Sequence, residues 1–251
     1  MEIDLIYLIT FTLVILQTIV GVGVLVVGTP FFLLLNFNII EIMNLLLPIS
    51  ITTSLLNYIY LKSNKKKFKI NLDKDIKKNF LFIFLPGIFL GLFLISKYFD
   101  YINFEILVSI IIFASLIIKW KFEKKINLLP LYFKRLILIM ISVIHGLTNS
   151  GGTLLTIFFS AFEKNGKSKS RYSITFYYLI LALVQYSVFL FIFYDQITLS
   201  YSYQILLITM ISIFVGTIIV KHISENIFKM IIEILALFSA FFLLINNLYN
   251  N

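Results

Sequence analysis

Gly21-Val-Gly-Val-Leu-Val-Val-Gly-Thr-Pro30 stands in the second half of an apolar run that extends from residue 3 to residue 36. At about 1.5 Å per residue, one helix over that run would be roughly 50 Å long. A bilayer core is about 30 Å thick. Glycine lacks side-chain restraint and proline lacks an amide donor, so the run reads as a helix broken at this stretch. A re-entrant hairpin is the alternative. A second stretch of the same character, His145-Gly-Leu-Thr-Asn-Ser-Gly-Gly-Thr-Leu-Leu155, interrupts the run 136–161 and reads the same way.

Six further apolar runs flank these two, at 39–61, 80–96, 102–120, 173–193, 203–220 and 227–246. Each is long enough to cross a bilayer. The expectation is an all-α polytopic membrane protein of about eight transmembrane helices. Composition agrees: 60% of the 251 residues are hydrophobic and only 13% charged, about half the charge of an average soluble domain. The absence of cysteine excludes a disulfide scaffold, thiol chemistry and Cys-bound metals. No cofactor and no metal site is expected. The acidic start Met-Glu-Ile-Asp is unlike the basic start of a signal peptide.

The net charge of +9 is unevenly placed. Residues 62–78 hold eight Lys against Asp73 and Asp75, and residues 119–135 hold six basic residues against Glu123. These two loops carry more positive charge than the whole chain, so the remainder is acidic and a nucleic-acid partner is not expected. Lys and Arg excess between spans marks the cytoplasmic face and attracts anionic lipid. Eight crossings with both termini inside would collect 14 Lys and Arg in the cytoplasm against seven outside. The basic segment 163–171 would then face outward, against the trend.

The chain also repeats itself. A shift of 125 residues lays Gly91 and the turn after it on Gly216 and its turn, and Asn57-Tyr58 falls on Gln185-Tyr186 after a small gap. The expected units are 1–125 and 126–251, each opening with a broken helix. Transporters are often built from such repeats, and paired Gly/Pro interruptions mark the place where a substrate site forms between them. Helix ends exposed at a break suit an anion.

The two Gly-rich stretches, each opening a half of about four helices, resemble the sulfite exporter TauE/SafE family of membrane permeases. The resemblance covers essentially the whole chain, including Gly91 and Gly216. It departs in having Val within the first glycine run and no proline in the second. It implies movement of a small sulfur-containing or organic anion across the cell membrane of a prokaryote, and no enzymatic activity. A non-transporting assembly subunit and an intramembrane enzyme are the other classes. The enzyme would need a cluster of His, Asp or Glu, and the spans hold one His and scattered carboxylates. The partners expected are a small anion and membrane lipid; a homo-oligomer stays open.

The candidate substrate-binding residues are Gly21, Gly23, Gly28, Thr29 and Pro30 at the first break, and His145, Thr148, Asn149, Ser150, Gly151, Gly152 and Thr153 at the second. Asn57 and Gln185 join them from matched positions. His145 and Glu233 are candidate proton carriers, since an ionisable group inside a span is costly and functional by default. Glu233 also suits an ion pair with Lys229, one turn earlier. Glu41 reads as a helix-dipole partner, Glu105 as a group reaching the interface, and Gly91 and Gly216 as packing glycines. Ser50, Thr52, Thr53 and Ser54 follow Pro48 on one helix. No lysine falls in the interior of a span, so an anion would rest on amides, hydroxyls and His145. Trp120, Tyr58 and Tyr60 read as interfacial anchors.

Overall fold

The computed structural model describes residues 2–63, 74–162, 167–196, 203–222 and 224–250. Within these the chain is helical: α1 (Glu2–Val20), α2 (Val24–Leu34), α3 (Ile39–Ser63), α4 (Lys74–Tyr98), α5 (Phe104–Ile126), α6 (Leu131–Thr148), α7 (Gly151–Phe162), α8 (Lys167–Ile192), α9 (Tyr203–His222) and α10 (Glu225–Asn250). Five helices, α3, α4, α6, α8 and α9, are long and apolar enough to cross a membrane. Local chemistry sets several starts. Asn38 accepts the N–H of Ile40 and Glu41 at 3.0 and 2.9 Å, and Glu41 Oε2 takes the Asn38 N–H at 2.9 Å, a reciprocal cap for α3. Asn103 caps α5 through the N–H of Ile106.

The two long apolar runs are interrupted as expected, and the interruptions are sharp. Gly21 has φ 94° and Asn149 has φ 59°, the left-handed conformation that closes a helix. Their N–H groups bond back to Gln17 O at 2.7 Å and His145 O at 2.9 Å. After each stop the chain turns back on itself. A methyl placed on Gly28 would lie 2.8 Å from Leu13 Cδ1, although fifteen residues of straight helix would separate the two by about 22 Å. A methyl on Gly151 would lie 2.7 Å from Ile141 O. Both runs are therefore helical hairpins, the second of the two arrangements considered. The first break is also narrower than expected. Gly28, Thr29 and Pro30 lie inside α2, and Gly146 lies inside α6.

Each hairpin returns the chain to the end it came from. At one end Arg135 of α6 pairs with Asp75 of α4, its Nε 3.1 Å from Oδ2, and Lys119 of α5 pairs with Glu233 of α10. At the other end Tyr7 of α1 donates to Gln204 of α9, and Asn246 and Asn247 of α10 reach Glu105 of α5 at 3.3 and 3.4 Å. The termini thus lie opposite the basic loops rather than beside them. Arg171, in the second turn of α8, lies towards the same end as Arg135 and Asp75; residues 64–73 and 163–166 lie outside the described residues. Exposed aromatics mark both ends, Tyr98, Tyr101, Tyr194 and Tyr203 at one and Trp120 and Tyr132 at the other, as two interfacial belts require.

Packing crosses between the first and second halves of the chain. The most extensive contacts are α4 on α6 and α1 on α9. Small residues bring α4 and α6 together backbone to backbone: Gly87 faces Ser142, and Gly91 faces Gly146. This is the small-residue spacing that membrane helices use for close approach. Gly216 of α9 seats against Thr18 of α1 in the same manner. A methyl on Gly146 would meet Ile88 O at 2.7 Å and Ile88 Cα at 3.1 Å, atoms that cannot withdraw without moving a helix. Gly146→Leu should therefore cost on the order of 3 kcal/mol or more. Size-exclusion chromatography and thermal unfolding in detergent check this, and a wild-type melting temperature in a monodisperse variant would refute it.

Candidate functional site

The first hairpin is stitched from within. Gln17, on α1 just before the turn, is fully buried. Its Oε1 accepts the N–H of Val24, the first residue of α2, at 3.0 Å. Its Nε2 donates to Ser50 O and Ser54 Oγ of α3, both at 2.9 Å, and Ser50 Oγ donates back at 3.3 Å. One amide thus caps α2 and ties both arms to α3. One turn further along α3, Asn57 Nδ2 donates to Thr18 Oγ1 at 3.2 Å. Gln17 was missed in the sequence, where an amide within an apolar run was the signal that could have found it.

The second hairpin has the same skeleton and different chemistry. Gln185 of α8 donates to His145 O at 3.1 Å and to Asn149 Oδ1 at 2.7 Å, so it clamps the end of α6. Thr148 bonds within the turn, to Ile144 O and Ser150 N. The rest is unsatisfied by protein. His145 Nδ1 and Nε2, Asn149 Nδ2, Thr153 Oγ1 and Gln185 Oε1 are buried without a hydrogen-bond partner, as is Thr29 Oγ1 on α2. Buried polar atoms in native structures are almost always paired, with protein, water or ligand, and in an apolar surround only protein, a wet cavity or a ligand can serve.

The two turns meet at Tyr178 of α8. A methyl on Gly152 would lie 2.7 Å from Tyr178 Cε2, 2.7 Å from Val22 and 2.8 Å from Val26, so the second turn rests directly on the first. The His145 ring stands edge-on to Tyr178, centroids 6.0 Å apart. Gly21 sits against Thr175 Oγ1 and Arg171 O. Arg171, one turn before Thr175, is 7% exposed, and its Nη2 lies 3.5 Å from Asn57 Oδ1. Its burial was missed in the sequence, where it read as part of a basic loop. The overlooked signal is that the chain has only two Arg among 21 basic residues. The other, Arg135, is paired with a carboxylate.

Contacts bring several of the candidate residues together: Gly152 lies against Val22, Val26 and Tyr178, His145 against Tyr178, and Gln185 holds His145 and Asn149, while Gly21 and Asn57 meet Arg171 farther along α8. Others stand elsewhere. Gly28 packs against Leu13 and Leu46, and Pro30 is buried farther along α2. Glu233 stands at the basic end, ion-paired with Lys119 and within 3.4 Å of Trp120 Nε1; the Lys229 side chain lies outside the described residues. Tyr58 stacks on Tyr172 of α8, centroids 5.5 Å apart, instead of standing alone at the interface. A separate cavity of about 410 Å³ opens at the end that holds the termini, lined in part by Asn38, Glu41, Asn44, Asp100 and Gln196.

The sequence pattern of the family described as sulfite exporter TauE/SafE matches residues 6–243. The chain belongs to the TauE/SafE family. The match begins in α1 and ends in α10, so both hairpins and every helix between them fall within the TauE/SafE pattern. Membership makes the protein a multi-pass membrane transporter. No curated protein and no solved structure matches the chain.

Within this TauE/SafE chain Gln17 is the element whose loss is simplest to read. Gln17→Leu keeps an apolar body of similar size, yet it leaves the Val24 N–H and Ser54 hydroxyl without that partner. At about 1–3 kcal/mol per orphaned group, the melting temperature in detergent should fall clearly while the protein stays monodisperse. An unchanged melting temperature would show that the first hairpin does not depend on this cap.

Proposed function

We propose that the protein is a permease that moves a small anion, sulfite or a related sulfonate, by alternating access of two homologous halves, 1–125 and 126–251. The observation that carries this reading is the buried centre where the two turns meet, lined by polar atoms that no protein group satisfies. The sign of the permeant follows from the lining. Among the described residues the buried charged groups are Lys134 and Arg171, and no Asp or Glu is buried. An anion supplies acceptors to such a set, whereas a cation would find no carboxylate.

The repeat reading rests on register and direction. Gln17 and His145, Gly21 and Asn149, and Asn57 and Gln185 are each 128 residues apart and fill equivalent places in the two hairpins. Helices α3 and α8 run antiparallel, joined by Asn57 and Arg171, and so do α5 and α10, joined at Glu105 and at Glu233. One hairpin and three crossing helices per half is an odd number of crossings. The second copy is then inserted upside down, the inverted arrangement in which a transporter's two access states exchange the roles of its halves.

The orientation follows from charge. The described helix ends that flank segments 62–78, 119–135, 163–171 and 221–229 lie at one end of the fold, and those segments hold 20 of the 21 Lys and Arg; Lys97 is the exception. That end is cytoplasmic by the positive-inside rule, in the cell membrane of a prokaryote, with both termini on the outer face. The chain has no cysteine, so single reporters are clean. A cysteine placed at Asn251 should react with an impermeant maleimide on intact cells, and one at Asn64 only after lysis; the reverse pattern would overturn the orientation.

Transport is tested by sulfite uptake into proteoliposomes. Flux should exceed that of protein-free vesicles. His145→Leu, which removes both ring nitrogens at similar volume, should lower it roughly tenfold or more through lost hydrogen bonding. Equal flux with and without wild-type protein would overturn the reading for this ion.

A further inference from the structure

Arginine at the end of a membrane helix ordinarily extends along the surface until its head reaches water. Arg171 does the opposite. It is 7% exposed, its Nη2 turns to the neutral amide of Asn57 at 3.5 Å, and its Nε has no partner. No described carboxylate forms an ion pair with it. A buried charge left without a counter-ion is strongly unfavourable, and intramembrane ionisable groups mark substrate pathways.

Its place in the fold gives that charge a direction. Residues 171, 175, 178 and 185 recur at helical spacing and lie along one side of α8. Thr175, Tyr178 and Gln185 are fully buried. Three of the four carry a polar atom without a protein partner, Arg171 Nε, Thr175 Oγ1 and Gln185 Oε1, and the Tyr178 hydroxyl stands between them within reach of Ser50 and Leu25. The row covers about 21 Å of helix. It starts beside Gly21 at the first turn, passes Gly152 and Tyr178, and ends where Gln185 holds Asn149. The facing side of α3 differs, because Ser50 and Ser54 are bonded to Gln17 and Asn57 to Thr18. The polar row of α8 thus keeps unsatisfied atoms where α3 does not, beside those of His145, Asn149 and Thr153 on the second hairpin.

We propose that this face of α8 is the track of the permeant ion and that Arg171 is the fixed cation that selects it, binding one oxyanion group of a sulfite- or sulfonate-like ion through its guanidinium. The inference rests on the permease reading and adds the residue that sets its charge preference. A planar fork of N–H donors matches two oxygens of one group, which a lysine ammonium does not. Asn57 positions the fork without neutralising it, since an amide oxygen accepts a hydrogen bond and carries no net charge.

The test is sulfite flux in proteoliposomes for wild type, Arg171→Lys, Arg171→Gln and Asn57→Asp, with melting temperature measured on the same preparations. Arg171→Lys should raise KM roughly tenfold and Arg171→Gln should lower kcat/KM by about a hundredfold, the range for lost charged hydrogen bonds. Asn57→Asp sets a carboxylate against the guanidinium. If Arg171 only supports the fold, Arg171→Lys and Arg171→Gln lower the melting temperature and leave the KM for sulfite unchanged. If Arg171 receives the substrate, the internal carboxylate competes with it, and flux collapses while the melting temperature holds or rises. Wild-type flux with unchanged KM in Asn57→Asp and Arg171→Lys would overturn the role of Arg171 and leave the permease standing. A wild type that moves no sulfite would overturn both together.

Discussion

A helix that ends inside an apolar medium leaves amides and carbonyls that nothing outside the protein can satisfy. Two helices of this chain end that way, at Gly21 and Asn149, and the remaining architecture accommodates them. In the first hairpin the problem is solved internally: Gln17 caps the returning helix and Ser50 and Ser54 hold Gln17. In the second, the equivalent position is His145, whose ring nitrogens face no protein partner. The same backbone solution therefore carries a structural amide in one half and an uncommitted imidazole in the other.

Much of this was legible in the sequence. The glycine stretches located both breaks, and Asn57 and Gln185 both proved to be buried amides, bonded to Thr18 of the first hairpin and to His145 and Asn149 of the second. What was not legible is which way the chain leaves a break. Glycine at 21 permits the turn, but the return path of α2 is set by Leu13 and Leu46 closing on Gly28, and those contacts depend on distant elements. The burial of Arg171 was hidden for a related reason. A basic residue at the edge of a span looks like a topology signal until Asn57 of another helix is known to stand opposite it.

The centre also explains why the packing glycines lie where they do. Gly91 with Gly146 and Gly216 with Thr18 draw each hairpin's first arm onto a helix from the other half. The turns are thereby held against each other from both sides, and the polar groups stay enclosed.

The pairing of α1 with α9 has a consequence for how the chain is made. The residues that join them, Tyr7 and Gln204, are 197 positions apart. At about 5–20 residues per second, the first helix waits on the order of ten to forty seconds for its principal partner to be synthesised. During that interval Gln17 and Thr18 are in lipid without the surface that finally covers them, although α3 is already present to take Gln17. The internal stitch between α1, α2 and α3 is thus what the nascent chain has to rely on, and the first half waits, held by one glutamine, for the last quarter of the protein to arrive.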